Sequence, residues 1–63
     1  MYKLIIDRDT ATEETLWEGN NLTVGLQKLN KERAASDADD FTTIELVRIK
    51  DNGDLQVERA FRF

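Results

Sequence analysis

The chain has no cysteine, no histidine and no proline, and only three glycines in 63 residues. Without cysteine there is no disulfide, thiolate metal site or thiol nucleophile, so a domain this small must be held by well-matched packing or by association. Without histidine the side chain best suited to proton transfer near neutral pH is missing, together with the commonest transition-metal ligand, and no Ser/His or Cys/His nucleophile can be built. Ser36 is the only serine and lies in a polar segment with no base near it in sequence, which suits a loop residue rather than a nucleophile. Gly19, Gly25 and Gly53 are too scattered to make a phosphate-cradling loop. Apolar runs such as Leu4-Ile5-Ile6 and Leu46-Val47 fall far short of the roughly 20 residues that span a bilayer. No basic-then-apolar leader precedes the first strand-like run, and a cytoplasmic location is the expectation.

What is present describes one regular domain over residues 1–63, because 40% apolar residues suffice for a core but a chain of this length has no room for a second. Thirteen acids against nine dispersed bases give a net charge of −4, so direct nucleic-acid binding, which depends on neutralising phosphates, is not expected. Asp37-Ala38-Asp39-Asp40 lacks the glycine and the spacing of a calcium-binding loop and is expected to be a solvated turn that ends a helix. Paired carboxylates could act as acid and base only in a cleft that separates their pKa values, and a small sheet with one helix offers none of useful size. The expectation is a non-enzymatic protein with no cofactor, no metal and no small-molecule substrate.

Tyr2, Leu4 and Ile6 alternate, with β-branched Ile5 between them, which predicts a central strand over 2–8 buried on both faces. Residues 13–18 supply a second strand, and together they predict a hairpin whose register the loop leaves open. Pairing Ile5 with Leu16, Lys3 with Glu18 and Leu4 with Trp17 is preferred to a one-residue slip that sets Arg8 opposite Glu14. Gly19-Asn20-Asn21 provides a break and an N-cap. A helix then starts near Leu22, with Leu22, Leu26, Leu29 and Arg33 on one face and Gly25 among them, where a strand can approach closely. Asp51-Asn52-Gly53-Asp54 separates two further strands. A three-residue loop with Gly53 in the left-handed position sets Ile49 opposite Leu55, Val47 opposite Val57, Glu45 opposite Arg59, Thr43 opposite Phe61 and Phe41 opposite Phe63. Ile44, Leu46, Arg48, Ala60 and Arg62 then share the other face.

Hairpin, helix, hairpin predicts an α+β fold, ββαββ, with one helix across one face of a four-stranded sheet. The preference for a right-handed crossover between parallel strands suggests the order 3-4-1-2, the β-grasp arrangement. The opening Tyr2-Lys3-Leu4-Ile5-Ile6 is similar to the first strand of the immunoglobulin-binding domains of streptococcal protein G, a resemblance that implies the same β-grasp topology. It extends to topology alone: Trp17 falls in the second strand rather than the third, and Gln27, Lys28, Lys31 and Glu32 do not match the antibody-contacting helix.

One amphipathic helix covers only one face of such a sheet. In the predicted registers Ile5, Leu16, Leu46 and Ala60 form an apolar stripe across the uncovered face, with Ile44 beside it and Arg48, Arg62, Lys3 and Glu18 at the rim. An apolar centre with a charged rim is how protein interfaces are built. The expected function is therefore that of a small interaction module binding a protein partner, or itself as a homodimer, through this face, in the manner of the accessory or inhibitory proteins that bacteriophages and mobile elements often encode. The alternative is an acidic mimic of nucleic acid, presenting Asp7, Asp9, Glu13, Glu14 and Glu18 where phosphates would lie.

Overall fold

The computed structural model describes residues 1–63. They form strands β1 (Tyr2–Ile6) and β2 (Glu14–Gly19), helix α1 (Leu22–Ala35), and strands β3 (Thr43–Ile49) and β4 (Leu55–Arg62). The strands make one four-stranded sheet in the order β2-β1-β3-β4, antiparallel at every step. The α+β class and the single helix on a four-stranded sheet hold.

The strand order differs from the expected 3-4-1-2. β1 lies antiparallel beside β3, not parallel beside β4, and this is not the β-grasp order. In both orders the helix joins parallel strands, β2 and β3, so the crossover preference does not choose between them. The composition of the second hairpin does. β3 contributes Ile44, Leu46, Val47 and Ile49, whereas β4 carries Gln56, Glu58, Arg59 and Arg62. A central strand is shielded on both faces and loses more water, so the more apolar strand takes the inner position.

The helix begins where Asn21 accepts a hydrogen bond from the Val24 N–H through its side-chain oxygen, at 3.2 Å. It ends at Ser36, after which Asp37 accepts from the Asp39 N–H and Asp40 from the Asp37 N–H, at 2.9 and 3.0 Å. These acids satisfy the turn locally, as expected of short polar side chains after a helix. The predicted helical stripe faces the sheet: Leu29 is buried, Leu22 and Leu26 pack against the core, and Arg33 stacks over the Phe61 ring at 4.6 Å. Gly25 is the close-approach point, since a Cβ there would lie 2.9 Å from Leu46 Cδ1 and 3.0 Å from Trp17 Cζ3.

The core consists of Leu4, Ile6, Leu29, Phe41, Ile44 and Leu46, bordered by Tyr2, Trp17, Leu22, Leu26 and Phe61. Ile44 and Leu46 thus lie under the helix, fully buried, and not on the uncovered face. Arg48 shares their side of the sheet by alternation along β3. The physical reason is Glu45. Had Val47 and Ile49 faced the helix, Glu45 would have entered the core with them, and burying a carboxylate costs several kcal/mol unless it is paired. In the observed arrangement Glu45 faces away from the helix and reaches Arg8.

Both hairpins keep the expected register at one end and shift at the other. Lys3 opposes Glu18 and Leu4 opposes Trp17, but Ile5 meets Thr15, leaving Leu16 as the extra residue of a bulge. Ile49 meets Leu55 and Val47 meets Val57, around a turn in which Gly53 has φ 88°. Beyond a second bulge at Glu58, Glu45 meets Ala60 instead of Arg59, and Ile44 meets Phe61.

Candidate functional site: the helix-free face of the sheet

Alternation along each strand, anchored by the core residues on the helix side, places Lys3 and Ile5 of β1 and Thr43, Glu45, Val47 and Ile49 of β3 on the helix-free face. In register with them stand Thr15 and Glu18 of β2 and Leu55, Val57, Ala60 and Arg62 of β4. Of the predicted stripe, Ile5, Ala60 and Arg62 are here, while Ile44, Leu46 and Arg48 are on the opposite side. Leu16, displaced into the bulge, is 36% exposed.

The apolar part of the face is therefore built from different residues than expected. Val47 is wholly buried although no helix covers it, because it sits on an inner strand between Lys3 and Val57. Ile5 is buried beside it. The exposed apolar surface lies toward the β3–β4 turn, where Leu55 is 39% and Val57 41% exposed, next to half-buried Ile49. The signal that could have found Val47, Ile49, Leu55 and Val57 was again the position of Glu45, which shares its face with Val47 and Ile49.

The charged part is ordered. Arg8 donates from Nε and Nη2 to the two carboxylate oxygens of Glu45, each at 3.1 Å. This fork-on-fork geometry is the strong form of the pair, and Glu45 raises the Arg8 pKa further above its ordinary value. The pair is placed by the β1–β2 loop, in which Asp7 and Asp9 have φ 50° and 64°. One Asp7 oxygen accepts from the N–H groups of Thr42 and Thr43 at 2.9 and 3.2 Å, and the other from the Thr12 hydroxyl at 3.0 Å. Those donors, the Thr42 N–H foremost, hold the Asp7 carboxyl below the usual carboxylate range. Asp7 is thus a clasp between the end of β1 and the entry to β3. Lys3 and Glu18 complete the rim at 3.8 Å.

The five acids of the alternative reading do not form one array. Asp7 is engaged with Thr42 and Thr43, Asp9 with Arg8 at 3.2 Å, Glu13 with the Asp9 N–H at 3.1 Å, and Glu18 with Lys3. Glu14 is exposed opposite Ile6, on the helix side of the sheet, whereas Glu18 lies on the other side. Carboxylates answering Arg8, Lys3 and backbone N–H groups are poorly placed to imitate a row of phosphates.

No helix is long and apolar enough to cross a membrane. No family model, no curated protein and no solved structure matches the chain.

Proposed function

We propose that the chain is a small non-enzymatic interaction module that binds a protein partner through the helix-free face of its sheet. The observation that carries this reading is the patch formed by Leu55, Val57, Ile49 and Ala60 on a face with no covering element, bordered by the Arg8–Glu45 and Lys3–Glu18 pairs and by Arg62. An exposed apolar centre with an ordered charged border matches the anatomy of protein interfaces.

The test compares wild type with Ile49→Asp and Glu14→Lys as bait in source-cell extract, after circular dichroism has confirmed that all three are folded. One stoichiometric partner kept by wild type and Glu14→Lys but lost by Ile49→Asp is the expected result. Equal recovery by all three baits refutes the assignment of the face. Leu46→Asp is unsuited to this purpose, because Leu46 is fully buried under the helix and a carboxylate there would unfold the domain.

A further inference from the structure

β4 is the longest strand, eight residues, and has a neighbour on one side only. An edge strand leaves a row of N–H and C=O groups unpaired, and the register shows which residues carry them. At the turn, the Lys50 N–H donates to the Asp54 carbonyl at 2.8 Å; at the far end, the Phe63 N–H donates to the Thr42 carbonyl at 3.0 Å. Bonded and non-bonded pairs alternate along an antiparallel ladder. Counting inward from both ends, Arg48–Gln56 and Ile44–Phe61 are bonded pairs. Ile49–Leu55, Val47–Val57, Glu45–Ala60 and Thr43–Arg62 are the pairs whose backbone groups point away from each other. The free edge of β4 is therefore built from Leu55, Val57, Ala60 and Arg62.

In a regular strand these outward residues would recur every second position. The bulge at Glu58 makes the middle interval three, between Val57 and Ala60. A regular strand cannot follow that spacing, which is how bulges protect sheet edges from indiscriminate pairing. The intervals two, three, two nevertheless read the same in both directions, so one partner fits: another β4, running antiparallel about a two-fold axis between Glu58 and Arg59. Val57 then meets Ala60 of the second copy and Leu55 meets its Arg62. All four residues lie on the helix-free face, so the faces agree as well as the backbone. At the axis Arg59 opposes Leu46 and so projects to the helix side, the bulge, in which two residues oppose one, sets Glu58 on that same side, and each Glu58 stands opposite an Arg59 of the second copy, an opposite-charge pair made twice.

We propose that the chain forms a two-fold symmetric dimer by antiparallel pairing of β4 with β4 of a second copy, joining two four-stranded sheets into one. The other edge does not offer this. β2 carries Glu14 and Glu18 and no base, so its self-pairing would set acids among acids. No proline blocks the β4 edge. Leu55 and Val57 fall at the seam, which makes the two helix-free faces continuous. The dimer does not depend on whether that face binds anything else.

The experiment is sedimentation velocity with light scattering over roughly 1 µM to 1 mM protein, on wild type, Glu58→Arg, Arg59→Glu, the double exchange Glu58→Arg/Arg59→Glu, Ala60→Pro and Ile49→Lys. Wild type is expected to be a concentration-dependent dimer. Each single reversal sets like charges together at both sites and weakens it by on the order of tenfold. The double exchange restores opposite charges and recovers the dimer, which a mere loss of folding would not do. Ala60→Pro removes an outward N–H without touching a bond to β3, and edge strands tolerate such a proline, so a folded monomer is expected. A wild type that stays monomeric throughout overturns the proposal. So does a dimer indifferent to the single reversals, or one lost only in Ile49→Lys, which would place self-contact on the open face.

Discussion

Gly25→Ala sets two known effects against each other at one position. In an exposed helix the substitution would stabilise by about 1 kcal/mol, because alanine loses less backbone freedom on folding. Here the added Cβ would lie 2.9 and 3.2 Å from the two terminal carbons of Leu46 and 3.0 Å from Trp17 Cζ3. A flexible side-chain end can often move aside, but Leu46 is fully buried among the core residues that include Leu4 and Ile44. Trp17 blocks a shift of the helix toward the other side. Inserting a methyl into a packed core costs about 1–3 kcal/mol, and with both neighbours under 3.1 Å the upper half of that range applies. The net expectation is a loss of about 1–2 kcal/mol, with a fall in melting temperature of roughly 4–8 °C for each kcal/mol in a domain of this size. Urea unfolding followed by Trp17 fluorescence and circular dichroism measures it. Leu46→Val supplies the control: alone it leaves a small void and costs about 1 kcal/mol, but combined with Gly25→Ala the new methyl occupies that space. The double variant should be more stable than the sum of the singles predicts by about 0.5–1 kcal/mol. A stabilised Gly25→Ala, or strict additivity with Leu46→Val, would refute the claim that close packing is why glycine stands here.

Gly53→Ala makes the complementary case, since a Cβ there has nothing within 4 Å but would sit on a backbone with φ 88°; it should destabilise by about 1 kcal/mol through backbone strain alone, and the same unfolding assay reads it, with no rescue from any neighbouring substitution. Asp7 controls a pH dependence. Its folded pKa is lowered by the N–H groups of Thr42 and Thr43, so its contribution is present above the ordinary aspartate value, about 4, and is lost as pH falls through the lowered folded value. Wild type should therefore lose stability in acid below about pH 4, and Asp7→Asn, less stable at neutral pH, should lose less over the same interval in urea melts.

Period and punctuation made the elements legible. Asn21 before Leu22, the spacing of Leu22, Leu26 and Leu29, and Asn52-Gly53 between two apolar runs each correspond to one local physical requirement, and all appear where those requirements place them. Which strand neighbours which is not local. The crossover preference is satisfied equally by β1 beside β3 and by β1 beside β4, so topology is decided by burial, and the comparison that bears on it is β3, with the aliphatic Ile44, Leu46, Val47 and Ile49, against β4, with the charged Glu58, Arg59 and Arg62 among its apolar residues. The orientation of β3 follows from one residue. The expected register sets Glu45 opposite Arg59 on the face of Val47 and Ile49, which leaves Leu46 and Ile44 on the other surface; in the structure Glu45 is answered by Arg8 on the helix-free face instead, and Leu46 and Ile44 are in the core.

The two bulges were hidden for a different reason: alternation assumes one residue per rung, and nothing in a period-two count signals an inserted one. Even so, each bulge falls where strict alternation would part adjacent residues of the same kind. In β2 it lies beside Trp17 at Leu16, and the tryptophan keeps its place against Leu4 and the helix while the leucine is displaced. In β4 it lies at Glu58-Arg59. Continuing the turn register unbroken would have put Arg59 and Phe61 on the helix-free face and left Ala60 on the helix side; the extra residue sets Arg59 opposite Leu46 on the helix side and turns Phe61 toward Arg33 and the core. Burial of Phe61 on that side favours the shift, since a ring half removed from water outweighs the one or two backbone hydrogen bonds that a bulge disturbs. The same inserted residue gives the free edge of β4 its uneven spacing. The placement of Phe61 against the core and the uneven edge on which the proposed self-pairing rests are thus two consequences of one extra residue at Glu58.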